Sequence, residues 1–214
     1  MNSSDASSRG TVVADISMSL DGFITGPGPD LEHGLGRGGE AIQQWVFASH
    51  DSPRDRAILE SADQSTGAVV MGRRTFDFID GPHGWDEEVS YSYDHPTPSL
   101  PPIFVVTHQV PARPRHSGFT YVTTGIEAAL TRAREAAGER EVVIMGGASV
   151  IAQALTARLV DRIRIHLSPV LMGAGTPLFE LVDETIQLLQ EDVVITPNVS
   201  HLTYTVDTER RTRR

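Results

Sequence analysis

Val142-Val143-Ile144-Met145-Gly146-Gly147-Ala148-Ser149-Val150 is a run of four apolar residues, two glycines, and the start of a second apolar pattern. A short unbroken apolar run suits a strand buried on both faces, as in a parallel sheet. Two glycines then permit a sharp turn into a helix over Val150–Leu159. Backbone N–H groups at such a helix start face an anion with the helix dipole behind them. Glycine lets a pyrophosphate approach the main chain closely. The stretch reads equally well as a tight strand-to-helix turn without a ligand.

The same grammar recurs upstream. Ala68-Val69-Val70-Met71 lies between Gly67 and Gly72 and leads into Arg73-Arg74-Thr75-Phe76. Two Arg and a Thr hydroxyl thus stand at a second helix start, and Arg offers phosphate a bidentate fork. Ile103-Phe104-Val105-Val106 is a third buried run, ending in Thr107-His108. In an open parallel sheet, ligands gather at the carboxyl ends of the strands.

The remaining pattern is consistent with that sheet. Val12–Ser19 is a strand candidate, and Ser17-Met18-Ser19-Leu20-Asp21-Gly22 carries the chain out of it. Asp21 is a candidate for proton transfer, or a turn residue before Gly. Residues 26–39 hold too many Gly and Pro for a regular element. Ala41–Ser49 is expected as a helix, and Ser52-Pro53 as the cap and first residue of another, running to about Ala62. Ile126–Ala137 places Ile126, Ala129, Leu130 and Ala133 on one helical face. Arg162–Leu167 alternates Arg with apolar residues, as a half-exposed strand would. Residues 185–195 and 200–208 read as an antiparallel pair. Strands alternating with helices give the α/β class: a mostly parallel central sheet flanked by helices, with an antiparallel C-terminal hairpin.

The 214 residues suit one domain, expected over 11–208 between a disordered leader at 1–10 and a basic tail at 209–214. Residues 80–101 form a long surface excursion. Lys plus Arg number 18 against 28 Asp plus Glu, a net charge of −10. That balance argues against a nucleic-acid or anionic-membrane partner. No apolar run is long enough for a secretory signal or a membrane span, and a cytoplasmic location is expected. The absence of Cys excludes disulfides, thiolate nucleophiles and thiolate metal sites. The eight His show no metal-ligand spacing, so no metal is expected. Gly34-Leu35-Gly36-Arg37-Gly38-Gly39 matches a dinucleotide fingerprint literally but follows no strand.

The order of these motifs resembles the dihydrofolate reductase-like superfamily. It is most similar to the branch holding the reductase domain of the bifunctional riboflavin-biosynthesis deaminase/reductase and its stand-alone bacterial relatives. Ser-Leu-Asp-Gly at 19–22, Met-Gly-Arg-Arg-Thr-Phe at 71–76, Val-Val-Thr-His at 105–108, Ile-Met-Gly-Gly at 144–147 and Leu-Ser-Pro-Val-Leu-Met-Gly-Ala-Gly at 167–175 occur in the family's order.

The resemblance implies a dihydrofolate reductase-like fold and an NADPH-dependent reductase. Gly72, Arg73, Arg74 and Thr75 would hold the adenosine phosphates, and the two Arg would select NADPH over NADH. Thr107 and His108 would underlie the adenine side. Gly146, Gly147, Ala148, Ser149 and Val150 would form the pyrophosphate loop. Ser17 and Ile24 would lie near the nicotinamide, and 26–39 would take the place of the mobile active-site loop. The implied substrate is a small heterocycle of the riboflavin-pathway pyrimidine type. Dihydrofolate is the alternative, and a nucleotide-binding protein with lost or changed catalysis is the second alternative. Dihydrofolate reductases place a pterin-binding carboxylate on the helix after that loop, and Asp51, Asp55 and Glu60 all remain candidates for it. A homodimer is implied, with Arg162, Arg164 and Val170-Leu171-Met172 as interface material.

Overall fold

The structure, a computed structural model, describes residues 10–85 and 100–212. The expected leader up to residue 9, most of the excursion at 80–101, and Arg213 and Arg214 of the tail lie outside the described residues. The chain runs β1 (Val12–Ser19), β2 (Phe23–Thr25), α1 (Gln44–Phe47), α2 (Pro53–Ser65), β3 (Thr66–Gly72), α3 (Arg73–Asp80), β4 (Ile103–Val106) and β5 (Phe119–Val122). It continues α4 (Ile126–Ala137), β6 (Glu141–Gly146), α5 (Ala148–Thr156), β7 (Arg162–Ser168), β8 (Thr176–Pro177), β9 (Thr185–Ile195) and β10 (Ser200–Thr212).

Eight strands form one sheet in the order β5-β4-β3-β6-β1-β7-β10-β9. The pairs from β5 to β7 are parallel. Only the joins of β10 to β7 and of β9 to β10 are antiparallel. This is the expected dihydrofolate reductase-like architecture, and β3 is buried along its whole length.

Alternation along the strands assigns the two faces of the sheet. Val12, Ala14, Val70 and Ile144 pack with α4 and α5 in the larger core. Val69, Met71, Ile103 and Val105 point the other way, onto Phe76 and Ile79 of α3. On that second face the central strands turn polar. Register sets Asp15 beside Arg164, Ser17 beside His166, and His166 beside His201. Ile163 and Ile165, between the polar positions of β7, enter the larger core.

Some elements depart from expectation. The helix expected over Ala41–Ser49 is broken into a 3₁₀ turn at Gly39–Gln43, the single turn α1, and a 3₁₀ turn at Ser49–Asp51. No side chain caps these turns, and Gly38 enters the first in the left-handed conformation. Ile42, Trp45 and Ser49 are nevertheless the buried positions, so the segment still presents one face to the sheet. By contrast α2 begins as expected, with Ser52 Oγ accepting from Asp55 N–H at 3.4 Å and Pro at the first position. Helix α5 stops three residues early, and Arg158 beyond it takes φ 59°. The short strands β2, β5 and β8 have no sequence signal, and β10 runs past 208 to Thr212. Among the described residues, no helix is long and apolar enough to cross a membrane.

Candidate functional site

A cleft of about 1470 Å³ opens along the carboxyl ends of β3, β4 and β6 and continues beneath α2. That exceeds the roughly 300–1,000 Å³ of a single drug-sized pocket. It leaves room for a dinucleotide and a second reactant.

All thirteen expected cofactor residues line this cleft: Ser17, Ile24, Gly72, Arg73, Arg74, Thr75, Thr107, His108, Gly146, Gly147, Ala148, Ser149 and Val150. The starts of α3 and α5 face each other across it. Neither helix has a side-chain cap, because Gly72 and Gly147 occupy the cap positions. Their first N–H groups are therefore not engaged by a cap. A Cβ on Gly72 would come within 2.9 Å of Val150 Cγ2, so glycine lets β3 close onto α5. Gly146 has φ 136°, which disfavours any side chain, and Thr75 Oγ1 stands 3.4 Å from where its Cβ would lie. These glycines, the amides without a side-chain cap and the Thr75 hydroxyl form a cradle that fits a pyrophosphate.

The two arginines differ. Arg73 Nε donates to Asp77 Oδ1 at 2.7 Å, and its Nη1 donates to the Gln109 carbonyl at 2.9 Å. Thr107 Oγ1 donates to the same carbonyl at 2.9 Å, which ties α3 to the turn after β4. Arg74 is exposed and makes no ion pair among the described residues, so its guanidinium is the one open to an anion. From the loop at 26–39, Glu32, His33, Gly34 and Leu35 reach the cleft wall. Asp30 holds their turn, accepting from the Glu32 and His33 N–H groups at 2.9 and 2.7 Å.

Asp21 stands apart from these residues. Its carboxylate does not line the cleft. It accepts from Ser19 Oγ at 2.6 Å, from Met172 N–H at 3.0 Å and from Gly173 N–H at 2.7 Å. The Ser19 hydroxyl and those two amides hold its pKa down at about 2. These bonds tether the β1 exit to the 170s loop.

None of Asp51, Asp55 and Glu60 reaches the cleft either. The carboxylates that do line it are Asp15 on β1, Asp63 on α2, Glu32, Glu40 and Glu180, and Trp45, Ile58, Leu59 and His166 line it too. Arg164, expected at an interface, is turned inward. Its Nη2 holds Glu141 at 2.6 Å and its Nη1 lies 3.6 Å from Asp15. Arg162 pairs with Glu191 at 3.0 Å.

Asp15, His166 and His201, missed by sequence reasoning, form a chain of contacts that ends on Asp55. Asp15 Oδ1 lies 2.9 Å from His166 Nε2. His166 Nδ1 lies 2.7 Å from His201 Nδ1, and His201 Nε2 lies 3.0 Å from Asp55 Oδ1. Asp55 is fully buried and also accepts from Asn198 Nδ2 at 3.3 Å. The Trp45 ring packs on both imidazoles, with centroids 4.5 and 4.9 Å away, and donates its Nε1–H to Ser17 Oγ at 2.9 Å. The available signal was a lone Asp in the apolar strand Val12–Ser19. Its partners come from β7, β10 and α2, which only the sheet order brings together.

Burial pushes the Asp15 carboxyl up, but the charges and hydrogen bonds of His166 and Arg164 outweigh it and hold the pKa below the ordinary value. Burial likewise opposes Asp55, and bonds from His201, Ser52, Thr196 and Asn198 bring it below the ordinary value. His201 is pushed down chiefly by burial, with the His166 charge adding to it.

The signs set a pH dependence. A histidine with a lowered folded pKa stabilises the fold above its unfolded value of about 6.5, and that contribution is lost as pH falls below it. Carboxylates with lowered pKa values stabilise above about 3.9, and lose that contribution as pH falls through their folded values. Thermal unfolding is expected to show a first decline in Tm below about pH 6.5 and a second below about pH 4. A Tm that stays flat between those two values would contradict the assignment for His201.

The family model described as RibD C-terminal domain matches residues 10–197. A putative riboflavin biosynthesis protein from Shewanella sp. PV-4 superposes with a TM-score of 0.64 at 21% identity, over 92% of this chain and 99% of its own. A dihydrofolate reductase from Enterococcus faecalis, complexed with NADP(H) and RAB-propyl, gives 0.53 at 17% identity, over 93% and 98%. The diaminohydroxyphosphoribosylaminopyrimidine deaminase/5-amino-6-(5-phosphoribosylamino)uracil reductase of Thermotoga maritima gives 0.61 at 13% identity. That match covers 93% of this chain and 57% of the Thermotoga chain. At these identities the likenesses carry the fold.

Proposed function

We propose that this chain, which belongs to the RibD C-terminal domain family, is an NADPH-dependent oxidoreductase that reduces a C=N or C=O bond of a small heterocycle. The observation that carries the reading is the gathering of all thirteen expected cofactor residues on one cleft with room for two reactants. The NADP(H) named with the Enterococcus reductase supports the cofactor. The family and the uracil reductase activity named for the Thermotoga protein support a pyrimidine of the riboflavin pathway as substrate.

The Gly146–Val150 main chain and the start of α3 would take the pyrophosphate, and Arg74 the additional phosphate that distinguishes NADPH. Ser17 and Ile24 would flank the nicotinamide. The reduced nicotinamide supplies the hydride when bound. Binding both reactants in one cleft supplies rate through proximity. Trp45, Ile58 and Leu59 give the substrate end apolar walls that exclude water, and Asp15 and Asp63 give it polar contacts. Dihydrofolate is the second reading, favoured by Asp63, a cleft carboxylate on the helix that follows the 26–39 loop. We further propose a cytoplasmic homodimer with one domain over 11–208.

The test is NADPH consumption with the riboflavin-pathway aminouracil phosphate and with dihydrofolate. Turnover of the aminouracil with little for dihydrofolate is the expected result. Preference for dihydrofolate, with tight methotrexate binding, would replace the first reading by the second. Turnover of neither, despite NADPH binding, would leave the nucleotide-binding reading.

A further inference from the structure

The buried face of the sheet holds four titratable groups in series, and their hydrogen bonds fix how many protons they carry. His166 Nε2 faces the Asp15 carboxylate and His201 Nε2 faces the Asp55 carboxylate. Each of those contacts needs one proton. The contact between the two Nδ1 atoms, at 2.7 Å, also needs one and cannot hold two. Two neutral imidazoles with Nε2–H would set two bare nitrogen lone pairs against each other, and two charged ones would set N–H against N–H. Three contacts with three protons satisfy every atom. The histidine pair then carries one charge in common.

The surroundings favour that state. Two carboxylates flank the pair, Arg164 and Glu141 lie beyond Asp15, and Trp45 covers both rings. A ring face attracts a neighbouring cation. His201 is buried and Asp55 is fully so. Asp15 and His166 line the cleft. The series therefore opens at one end, beside the substrate walls.

We propose that Asp15, His166, His201 and Asp55 form a buried store of one mobile proton, which Asp15 delivers to a heterocycle reduced in the cleft. The inference rests on the reductase reading for its delivery step alone. When a C=N carbon accepts hydride from NADPH, the π electron pair moves to nitrogen, and that nitrogen needs one proton. Asp15 relays it: its carboxylate takes the Nε2 proton of His166 and passes it to the heterocycle nitrogen. The shared Nδ1 proton then rests on His166, leaving both rings neutral. Solvent entering the open cleft after product release returns the missing proton. Asp15 is then the catalytic group. His166, His201 and Asp55 are positioning and proton-holding residues.

The experiment has two arms. In the first, wild-type protein labelled with 15N in histidine is read by NMR from about pH 5 to about pH 9, the span over which imidazoles titrate. The expected result is both Nε2 atoms protonated, one proton between the Nδ1 atoms, and a joint loss of that proton with rising pH. Two rings titrating independently, or two neutral rings throughout, would overturn the proposal. In the second, His201→Asn keeps a polar group facing His166 but cannot hold the charge. NADPH affinity should be unchanged, and kcat on whichever heterocycle is turned over should fall about 100-fold with a shifted pH profile. An unchanged kcat and pH profile would overturn the delivery step. Failure of wild-type protein to bind NADPH would bring down the reductase reading and the delivery step with it, while the NMR arm still decides the shared proton.

Discussion

Asp55→Ala is expected to lower the unfolding free energy by about 3–5 kcal/mol, the cost of removing one partner from a buried charged pair. Asp55 is fully buried, and it is the carboxylate that accepts from His201 Nε2. Without it, the shared charge on His201 and His166 keeps only Asp15 as counter-ion. The Asn198 amide and the turn after β9 also lose an acceptor on α2. Domains of this kind carry only about 5–15 kcal/mol in total, so the loss is a large fraction of stability. Urea unfolding monitored by Trp45 and Trp85 fluorescence measures it. Asp51→Ala is the control: that side chain is 80% exposed beside His50, and its loss should stay within about 0.5 kcal/mol. A loss below about 1 kcal/mol for Asp55→Ala would show that the buried series does not hold the sheet to α2.

Arg74→Ala is expected to weaken NADPH binding about 10- to 100-fold and to leave NADH binding nearly unchanged. A hydrogen bond to a charged group contributes about 1.5–3 kcal/mol, and 1.4 kcal/mol is tenfold in affinity. Arg73→Ala should behave differently, because that guanidinium already bridges Asp77 and the Gln109 carbonyl. Its loss loosens the contact between α3 and the turn after β4, so it should weaken both cofactors by similar, smaller factors. Equal loss of both cofactors in Arg74→Ala would remove the phosphate-selecting role from that residue.

The glycine turns that line the cleft were legible because they are built from local chain. A buried apolar run, a glycine and a helix start are contiguous in sequence at 68–76 and again at 142–150, and the parallel sheet sets them side by side. The buried ionic series was not legible. Asp15, His166, His201 and Asp55 come from four elements, and only the order β1-β7-β10 with α2 above it makes them neighbours. The Arg and apolar alternation of 162–167 was visible and marks a half-exposed strand, but the pairing of Arg164 with Asp15 and Glu141 was not. The bonds of Asp21 to Met172 and Gly173 were not legible either, because the 170s loop is remote from it in sequence. Turns without side-chain caps broke the helix expected at 41–49, while the Ser52-Pro53 start was read correctly because its cap is a side chain.

The most direct test of the central claim is a titration of the wild-type protein with NADPH and with NADH, followed by energy transfer from tryptophan to the reduced nicotinamide. Both of the chain's two tryptophans line the cleft, so a bound dinucleotide must lie close to them. Saturable transfer with NADPH, and much weaker transfer with NADH, is the predicted result. No transfer and no quenching with either would mean that the glycine cradle is a structural turn, and the reductase assignment would fall while the fold stood.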